Sequence, residues 1–422
     1  MTKLLIKNVH AVDPSSELDE IVDIYSEDGF IKKIGKIDCE ADRIIDGNGL
    51  VAFPGLFDMH VHLRDPGFTY KEDIITGTDA AKAGGFTGIA CMPNTKPVTD
   101  NAEIVEYILK KAENTGIRVY PIGCVTKGMQ SKELTDFSEL KNAGCTAISD
   151  DGRPVENAEL MRQALEKSGL YDLTVLSHCE DLKIINGGII NKGKISEKLG
   201  VKGMDRASED YITAREIALA MSCGAKIHIC HVSTKGSVNI IRAAKKDGVR
   251  VTCETAPHYF TYTDEKLLNR DADYRMSPPL RTEEDRLAIE NAVLDGTIDC
   301  IITDHAPHSA EEKSDFEKAP NGVVGLETSL AMTLTRLYHT GKISLSKIAE
   351  LMAIKPREIL GIEPVKIAEG YECNVALFDP DCEWKVIPEE LHSKSKNTVF
   401  KGEICKGKVL YTICRGKVVF EQ

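Results

Sequence analysis

Phe53-Pro-Gly-Leu-Phe-Asp-Met-His60-Val-His62-Leu-Arg64-Asp-Pro-Gly67 is the stretch from which the fold and a candidate site can both be read. An apolar run that ends in a Pro-Gly turn is typical of a buried strand. Alternate side chains of a strand share one face, so His60 and His62 point the same way with Cα atoms roughly 6.6 Å apart. Two imidazoles placed in this way can close on one metal ion, with Arg64 just beyond them. The stretch therefore predicts a strand whose end carries part of a site, and the other ligands must lie on other strands.

Further apolar runs follow this first strand, and amphipathic helical segments fill the intervals between them. The eight strand candidates are residues 53–60, 86–91, 118–124, 145–149, 174–178, 226–231, 250–254 and 299–303. Eight β-α units over about 300 residues predict an α/β protein built on a (β/α)8 barrel, or TIM barrel. A doubly wound sheet is the alternative, but the Gly-rich phosphate-binding fingerprint expected after its first strand is absent.

The two ends of the chain have a different pattern. Short β-like runs separated by turn signals occupy residues 1–52 and return in residues 366–422. We predict that these two segments share one small β-sandwich domain, and that residues 53–365 form the catalytic barrel.

Composition excludes several classes of partner. The chain carries 53 basic and 66 acidic residues, a formal charge of −13, which disfavours nucleic acid and anionic membranes as partners. Thirteen cysteines without paired spacing, several of them inside apolar runs (Cys91, Cys230, Cys253 and Cys300), are typical of buried thiols in a reducing compartment. The N-terminus lacks the apolar core of a signal peptide, and no apolar run is long enough to span a bilayer. We therefore expect a cytoplasmic protein that acts on a small molecule.

Metal-binding side chains stand at the ends of five predicted strands. They are His60 and His62 on the first strand, Asp150 and Asp151 after the fourth, His178 after the fifth, His228 and His231 on the sixth, and Asp304, His305 and His308 after the eighth. In a barrel the carboxyl ends of all strands meet at one rim, where active sites lie. A single polar side chain at a strand end is often only a core residue whose hydrogen bonds are satisfied. His or Asp at the ends of five strands, however, indicates a site.

Four histidines and two aspartates from this group already exceed the ligand number of one tetrahedral zinc. A pair of divalent metals that shares a bridging carboxylate and a bridging hydroxide would use them all. Zinc is favoured because imidazole and carboxylate suit it, and cobalt, nickel and manganese remain open. Metal binding can lower the pKa of water from 15.7 to about 7, which provides a nucleophile without serine or cysteine.

These residues resemble the amidohydrolase superfamily and, within it, the class I dihydroorotases, over nearly the whole chain. The resemblance is carried by Asp58-Met-His-Val-His-Leu-Arg-Asp-Pro-Gly67, Met92-Pro-Asn-Thr95, Ser149-Asp-Asp-Gly152, Ser177-His-Cys-Glu180, His231-Val-Ser233 and Thr303-Asp-His-Ala-Pro-His308. The first two motifs together are highly specific.

The resemblance implies a complete ligand set for two Zn²⁺ ions per subunit. It places His60, His62 and Asp304 on one metal, His178 and His231 on the other, and Asp151 between them. Many amidohydrolases bridge their metals with a carbamylated lysine on the fourth strand, but residues 144–149 contain no lysine. An aspartate bridge is expected instead; Asp151 matches the position that class I relatives use, and Asp150 is the rival.

The resemblance also assigns roles toward the substrate. Asp304 is expected to be the general acid and base, and Arg64, Asn94 and His308 to contact a substrate carboxylate. The full set of implied substrate contacts is His62, Arg64, Asn94, Ser277, His308, Gly322 and Val323. Two positions depart from many relatives, which have asparagine where Ser277 stands and Phe-Gly where Asn321-Gly322 stands.

Two further histidines, His228 and His305, are interpreted as structural, although either could hold a metal ligand in place. The expected activity is the reversible cyclisation of N-carbamoyl-L-aspartate to L-dihydroorotate in pyrimidine biosynthesis. The alternatives are an allantoinase- or hydantoinase-like cyclic amidohydrolase and an inactive scaffold subunit for aspartate transcarbamoylase. By resemblance we expect a homodimer and consider association with aspartate transcarbamoylase.

Overall fold

The structure, a computed structural model, describes residues 2–422 and contains one barrel and one sheet made from both chain ends. The strands are β1 (Lys3–Asp13), β2 (Leu18–Glu27), β3 (Phe30–Gly35), β4 (Arg43–Asp46), β5 (Val51–Pro54), β6 (Leu56–Val61), β7 (Phe86–Cys91), β8 (Arg118–Gly123), β9 (Ala147–Ile148), β10 (Thr174–Ser177), β11 (Ile190–Asn191), β12 (Gly203–Met204), β13 (Ile227–Ile229), β14 (Val251–Thr255), β15 (Cys300–Ile301), β16 (Val375–Lys385), β17 (Ile404–Cys414) and β18 (Lys417–Glu421).

The helices lie mainly between the barrel strands. They are α1 (Ile74–Ala83), α2 (Ala102–Ala112), α3 (Phe137–Ala143), α4 (Ala158–Leu170), α5 (Leu182–Ile185), α6 (Lys194–Leu199), α7 (Ala207–Cys223), α8 (Lys235–Lys246), α9 (Pro257–Thr261), α10 (Glu283–Leu294), α11 (Ser329–Thr333), α12 (Leu345–Ala349) and α13 (Lys355–Leu360). Side chains just before several of them accept hydrogen bonds from the first turn, as Asp73, Asn101 and Asn157 do for α1, α2 and α4. Such N-caps satisfy amides that have no partner within the helix and so fix where each helix begins.

The barrel confirms the predicted fold class. Its strands pair in parallel in the order β6-β7-β8-β9-β10-β13-β14-β15, and each of the eight predicted runs overlaps one of them. The barrel closes where the amide of His62 donates to the carbonyl of His305 at 2.8 Å. Every residue of β6 and β7 is buried, as expected for strands covered by helices on one side and by the barrel interior on the other. Strands β9 and β15 are shorter than predicted, and each ends two or three residues before an aspartate of the rim.

The terminal strands form one eight-stranded sheet in the order β18-β17-β16-β5-β1-β2-β3, with β4 paired to β1. The sheet has its own hydrophobic cluster, which includes Leu4, Val22 and Val375. The predicted change of domain at residues 52–53 falls inside β5, which pairs with β1 and β16 before Gly55 leads directly into β6. The first strand of the site is therefore anchored to the sheet that both chain ends build.

The segment between β10 and α7 is an excursion that the sequence did not predict. It contains α5, β11, α6 and β12, and it packs through Ile190 on a small cluster with Leu267 and Phe316.

The four cysteines expected inside the core are buried, and all thirteen cysteines are free thiols. Within residues 2–422, no helix combines the length and the apolar character that a membrane crossing requires.

Candidate metal centre and substrate cavity

All six predicted metal ligands meet at the carboxyl end of the barrel. His60 lies in β6 and His62 just after it, whereas Asp151, His178, His231 and Asp304 follow β9, β10, β13 and β15. All six are buried, His60 completely. Because the strands are parallel, their carboxyl ends share one rim, and residues far apart in sequence become neighbours there.

The first group consists of His60, His62, Asp151 and Asp304. Nε2 of His60 lies 3.4 Å from Oδ1 of Asp151, and Nε2 of His62 lies 3.4 Å from Oδ2 of the same carboxylate. Oδ1 of Asp304 is 3.2 Å from Nε2 of His62 and 3.6 Å from Nε2 of His60. Two imidazole nitrogens and two carboxylates thus surround one point.

The second group consists of His178, His231 and the same Asp151. Nδ1 of His178 and Nε2 of His231 each lie 3.5 Å from Oδ1 of Asp151, and the two nitrogens are 3.0 Å apart. Asp151 is therefore shared by both groups of potential ligands, as a bridging carboxylate would be.

The donor atoms fit a pair of divalent cations. Nε2 of His60 and Oδ1 of Asp151 are buried, and neither has a hydrogen-bond partner among the described residues. Buried polar atoms without a partner are costly, so a bound cation is the natural counterpart for these two. Imidazole and carboxylate ligands suit zinc and its neighbours in the first transition series.

Asp150, the rival for the bridging position, faces away from the histidines. Its carboxylate accepts hydrogen bonds from the amides of Val125 and Thr126, at 2.8 and 3.1 Å, and from the Thr126 hydroxyl. Burial raises the pKa of Asp150 to about 6 against the effect of these bonds. The geometry therefore favours Asp151 as the shared residue.

The charge balance of the cluster holds Asp151 ionised. Burial by itself opposes ionisation, but His60, His178 and His231 outweigh it and hold the pKa of Asp151 well below its usual range. Burial likewise opposes a charge on His60, yet Glu254 and Asp151 raise its pKa well above the usual value. An ionised Asp151 is the protonation state that metal binding requires, whereas His60 must give up its ring proton when a cation binds.

Glu254 is a functional residue that the sequence reasoning missed. It lies in β14, and its Oε1 accepts from Nδ1 of His60 at 2.5 Å, while its Oε2 lies 3.2 Å from Nε2 of His228. His228 in turn contacts the hydroxyl of Thr252 through Nδ1 at 2.8 Å. A carboxylate on one ring nitrogen fixes the other nitrogen toward the metal. The signal was a glutamate inside an apolar strand, the same signal that revealed the ligands.

His305 has a different environment. Its Nε2 lies 3.3 Å from Oε2 of Glu72, and its Nδ1 accepts from the amide of Gly325 at 3.2 Å. Its imidazole therefore joins the closing strand to the loops around it and forms no hydrogen bond to a predicted metal ligand.

A cavity of about 330 Å³ opens above the ligand cluster. Ten predicted site residues line it: His62, Arg64, Asn94, Asp151, His178, His231, Ser277, Asp304, His308 and Gly322. His60 lies beneath the cavity floor and Val323 lies behind its wall, so neither side chain lines it. Leu182, Ile185 and Met204 from the excursion after β10 add an apolar wall.

Arg64 presents a free guanidinium to this cavity. Its backbone has a φ of 59°, a left-handed conformation that is uncommon for a residue with a side chain. Nε donates to the carbonyl of Pro307 at 3.2 Å, but the guanidinium forms no ion pair with any carboxylate of residues 2–422. A buried cation without a counter-ion, beside a cavity, is suited to an anionic group of a ligand.

Asn94 contacts the ligand cluster directly. Its Oδ1 accepts from Nδ1 of His62 at 2.8 Å, and its Nδ2 donates to the carbonyl of Asp151 at 3.3 Å. The side chain predicted to bind substrate thus also orients a metal-ligating imidazole. Its loop is held by Gly67, whose φ of 97° and missing side chain allow the carbonyl of Lys96 to approach closely.

Ser277, Gly322 and Val323 differ in what they offer the cavity. The Ser277 hydroxyl donates to Oε2 of Glu180 at 2.5 Å, and that oxygen lies 3.4 Å from Nε2 of His178. Gly322 has a φ of 145°, and a Cβ there would stand 2.6 Å from the carbonyl of Ala306. Val323 is buried, and its carbonyl accepts from the amide of Ala306 at 2.7 Å. Ser277 therefore supports a metal ligand, whereas Gly322 permits a close backbone approach at the wall.

Comparison with known proteins places the chain among enzymes with related chemistry. A family model described as dihydro-orotase-like matches residues 49–237. The dihydroorotase of Geobacter metallireducens is 49% identical over 423 residues, covering 99% of this chain and 100% of that protein. The dihydroorotase of Acetivibrio thermocellus is 47% identical over 422 residues, with 99% of each chain covered.

Solved structures of hydantoinases share the same architecture. The L-hydantoinase (dihydropyrimidinase) from Arthrobacter aurescens has a TM-score of 0.89 and 25% identity, and the match covers 100% of this chain and 96% of that one. A dihydropyrimidinase from Brevibacillus agri has a TM-score of 0.85 at 23% identity, which shows the fold alone. Since nearly half of its residues are identical to those of bacterial dihydroorotases along its whole length, the chain belongs to the dihydroorotase family.

Proposed function

We propose that this enzyme interconverts N-carbamoyl-L-aspartate and L-dihydroorotate. In this proposal the six clustered residues bind the metals and move the proton, and the adjoining cavity wall binds the substrate carboxylate. The observation that carries the proposal is an unpaired, buried Arg64 beside a carboxylate, Asp151, that two groups of imidazoles share. In the hydrolytic direction, water adds to a ring carbonyl, which becomes a carboxylate. The ring nitrogen becomes the terminal NH2 of the carbamoyl group.

His60, His62 and Asp304 would hold one divalent metal, His178 and His231 the other, and Asp151 both; we propose zinc for the pair. When bound, such metals lower the pKa of water and polarise the carbonyl that is attacked. Glu254 and Asn94 orient the imidazoles of His60 and His62 through their Nδ1 atoms.

Asp304 is proposed as the group that moves the proton. Burial opposes its ionisation, but His62 and His60 outweigh this and lower the pKa of Asp304. Its carboxylate can accept the proton of the attacking water and deliver it to the ring nitrogen that leaves. In the reverse direction the same oxygen takes the proton from the carbamoyl nitrogen as the ring closes.

Arg64, His308 and Asn94 are proposed to receive the carboxylate that stands beside the ring. A guanidinium and an N–H donor grip a carboxylate with directional, charge-assisted hydrogen bonds. The backbone around Gly322 can approach the polar edge of the ring, and the apolar wall excludes water from the reacting bond.

The alternative activities are less well supported. An uncharged hydantoin or allantoin ring would leave Arg64 buried without a counter-ion, and residues 144–149 offer no lysine for a carbamylated bridge. The full-length relatives near half identity are dihydroorotases, whereas the resemblance to hydantoinases is carried by the fold. An inactive scaffold would be expected to lose ligands, and all six are clustered here.

The test is metal content measured on the same preparation as turnover of dihydroorotate, allantoin and hydantoin. We expect two zinc ions per chain and turnover of dihydroorotate alone, with activity lost on chelation and restored by zinc. Turnover of allantoin or hydantoin without dihydroorotate would overturn the substrate, and full activity in metal-free protein would overturn the metal centre.

Assembly and location are proposed by resemblance. We propose a homodimer, tested by light scattering, and an association with aspartate transcarbamoylase, tested by co-elution of the two purified enzymes. A cytoplasmic location agrees with thirteen free thiols, because disulfides persist mainly in oxidising compartments. Fractionation of cells is the direct measurement.

A further inference from the structure

Lys71 is a buried cation beside the substrate wall to which no role has yet been given. Its Nζ lies 3.2 Å from Nδ1 of His308 and 3.1 Å from Oε1 of Glu312. Glu312 also accepts from the hydroxyl of Tyr70 at 2.8 Å and from the amide of Ser309 at 3.0 Å. Lys71 does not line the cavity, and its direct contact with the cavity wall is to His308.

The contacts of His308 determine which of its nitrogens carries the proton. Nε2 lies 3.0 Å from the carbonyl oxygen of Asn321, which can only accept, and 3.4 Å from Nη2 of Arg64, which can only donate, so the shorter contact favours Nε2 as the donor. On the other side of the ring, the ammonium of Lys71 lies 3.2 Å from Nδ1 and can only donate, which favours Nδ1 as an acceptor. The shorter contact on each side thus favours the neutral imidazole with its proton on Nε2. Burial, together with the charges of Arg64 and Lys71, lowers the pKa of His308 and keeps the ring neutral.

Glu312 offers the competing arrangement. Its Oε2 lies 3.3 Å from Nδ1 of His308 and would accept a proton placed there. That tautomer would turn an N–H toward the ammonium of Lys71 and leave Nε2 without a proton at the cavity wall. Nε2 lies 3.4 Å from Nη2 of Arg64, so this side of the ring faces the cation that receives an anion.

We propose that Lys71 is a positioning residue that holds His308 as an Nε2–H donor beside Arg64, and so makes the cavity selective for rings that carry a carboxylate. Glu312 balances the charge of Lys71 and joins it to the loop that begins at Ser309. The proposal rests on the proposed function, in which Arg64 and His308 bind the carboxylate.

The first experiment needs no substrate. Long-range ¹H–¹⁵N correlation spectra of deuterated, ¹⁵N-histidine-labelled, metal-loaded protein report which nitrogen carries the proton, and a His308→Gln sample identifies the signal. We expect His308 to be neutral with its proton on Nε2 in the unaltered protein. In Lys71→Met we expect the Nδ1–H form, with Glu312 as partner. A proton on Nδ1 in the unaltered protein would overturn the proposal.

The second experiment separates binding from chemistry. Removing the donor that fixes His308 weakens a charge-assisted hydrogen bond, so Lys71→Met should raise KM for dihydroorotate and Kd for orotate by about tenfold. The kcat should change far less, and the metal content should not change. Lys71→Arg keeps a cationic donor and should restore most of the affinity. Lys245→Met is the matched control, because Lys245 is also partly buried in an ion pair, with Asp299, away from the cavity.

An unchanged KM in Lys71→Met, or a fall in kcat with KM intact, would overturn the proposal. If Lys71→Met does not fold, the proposal is still tested by the tautomer of His308 in the unaltered protein and by the affinity of Lys71→Arg for dihydroorotate. If the unaltered enzyme does not turn over dihydroorotate, the proposed function fails, while the spectra still show whether Lys71 sets the tautomer of His308.

Discussion

The predicted metal-ligand cluster and the proposed carboxylate-binding wall lie side by side, but they are built in different ways. The cluster consists of residues in or just after strands, and backbone pairing in the barrel sets their distances. The wall consists of loop residues, Arg64, His308 and Gly322. Arg64 donates to the backbone carbonyl of Pro307, whereas His308 and Gly322 are held by Lys71 and Asn397, two side chains outside the cavity. A rigid scaffold thus fixes the groups that we propose do the chemistry, and tethered loops fix those that we propose select the substrate.

The largest effect is expected at the cluster, from Asp304→Ala. Loss of the proton-transfer group should lower kcat for dihydroorotate by about 10²- to 10⁴-fold, with the fold retained by circular dichroism. Asp150→Asn is the control, since Asp150 faces Thr126 and is expected to affect stability before activity. Unchanged turnover in Asp304→Ala would contradict the assigned role.

A smaller effect is expected at the wall, from Arg64→Met. Without its guanidinium the cavity loses a charged partner for the carboxylate, so KM for dihydroorotate should rise by about 10- to 100-fold. The bound metal should stay unchanged, which distinguishes the wall from the cluster. A variant that instead loses metal would show that the two regions cannot be separated.

Glu254→Gln tests a residue that contacts the cluster through His60 and does not line the cavity. The neutral amide holds the imidazole of His60 less firmly, and we expect metal affinity to fall by about 10- to 100-fold. Competition with a chelator of known affinity measures the change. At saturating metal, KM should stay close to that of the unaltered enzyme, and a large rise in KM would argue against a role confined to the metal.

The smallest effect on activity is expected from Val323→Ala, because only the backbone of this residue is near the wall. Loss of two buried methyl groups should lower the free energy of unfolding by about 2 kcal/mol, measured by urea denaturation. The ratio kcat/KM should change by less than about twofold, which corresponds to a fraction of a kcal/mol. A large loss of kcat/KM would place the side chain in substrate binding after all.

The same contrast explains how much the sequence could reveal. The barrel and the ligand cluster follow from apolar runs that end in His or Asp, because strand pairing brings such ends together without further information. Glu254 carried the same signal inside its strand and could have been found. Lys71 had none, since a lysine before an amphipathic helix is ordinarily solvated, and only the loop geometry places it against His308.

The residues around the cavity wall show what the sequence could not reveal. Ser277 lines the cavity, where a substrate contact is predicted, and its hydroxyl also donates to Glu180, 97 residues away in the chain. Val323 is predicted to contact the substrate together with Gly322, and because its side chain is buried away from the cavity, only its backbone is available for that contact. A loop residue's environment depends on segments that no local pattern identifies.

The seam where the barrel closes has a consequence for how the enzyme matures. The carboxylate of Asp58 accepts the amide of Thr303, 245 residues further on, and His62 meets Asp304 across 242 residues at the same place. Closing so long a loop is entropically costly, and a cation held from both sides of the seam would offset part of that cost. A nascent chain that has not yet added its last barrel strand lacks Asp304, so a complete ligand set exists only once synthesis has passed that point. If both proposed metals bind, full metal occupancy would therefore distinguish chains whose barrel has closed from chains whose barrel is still open.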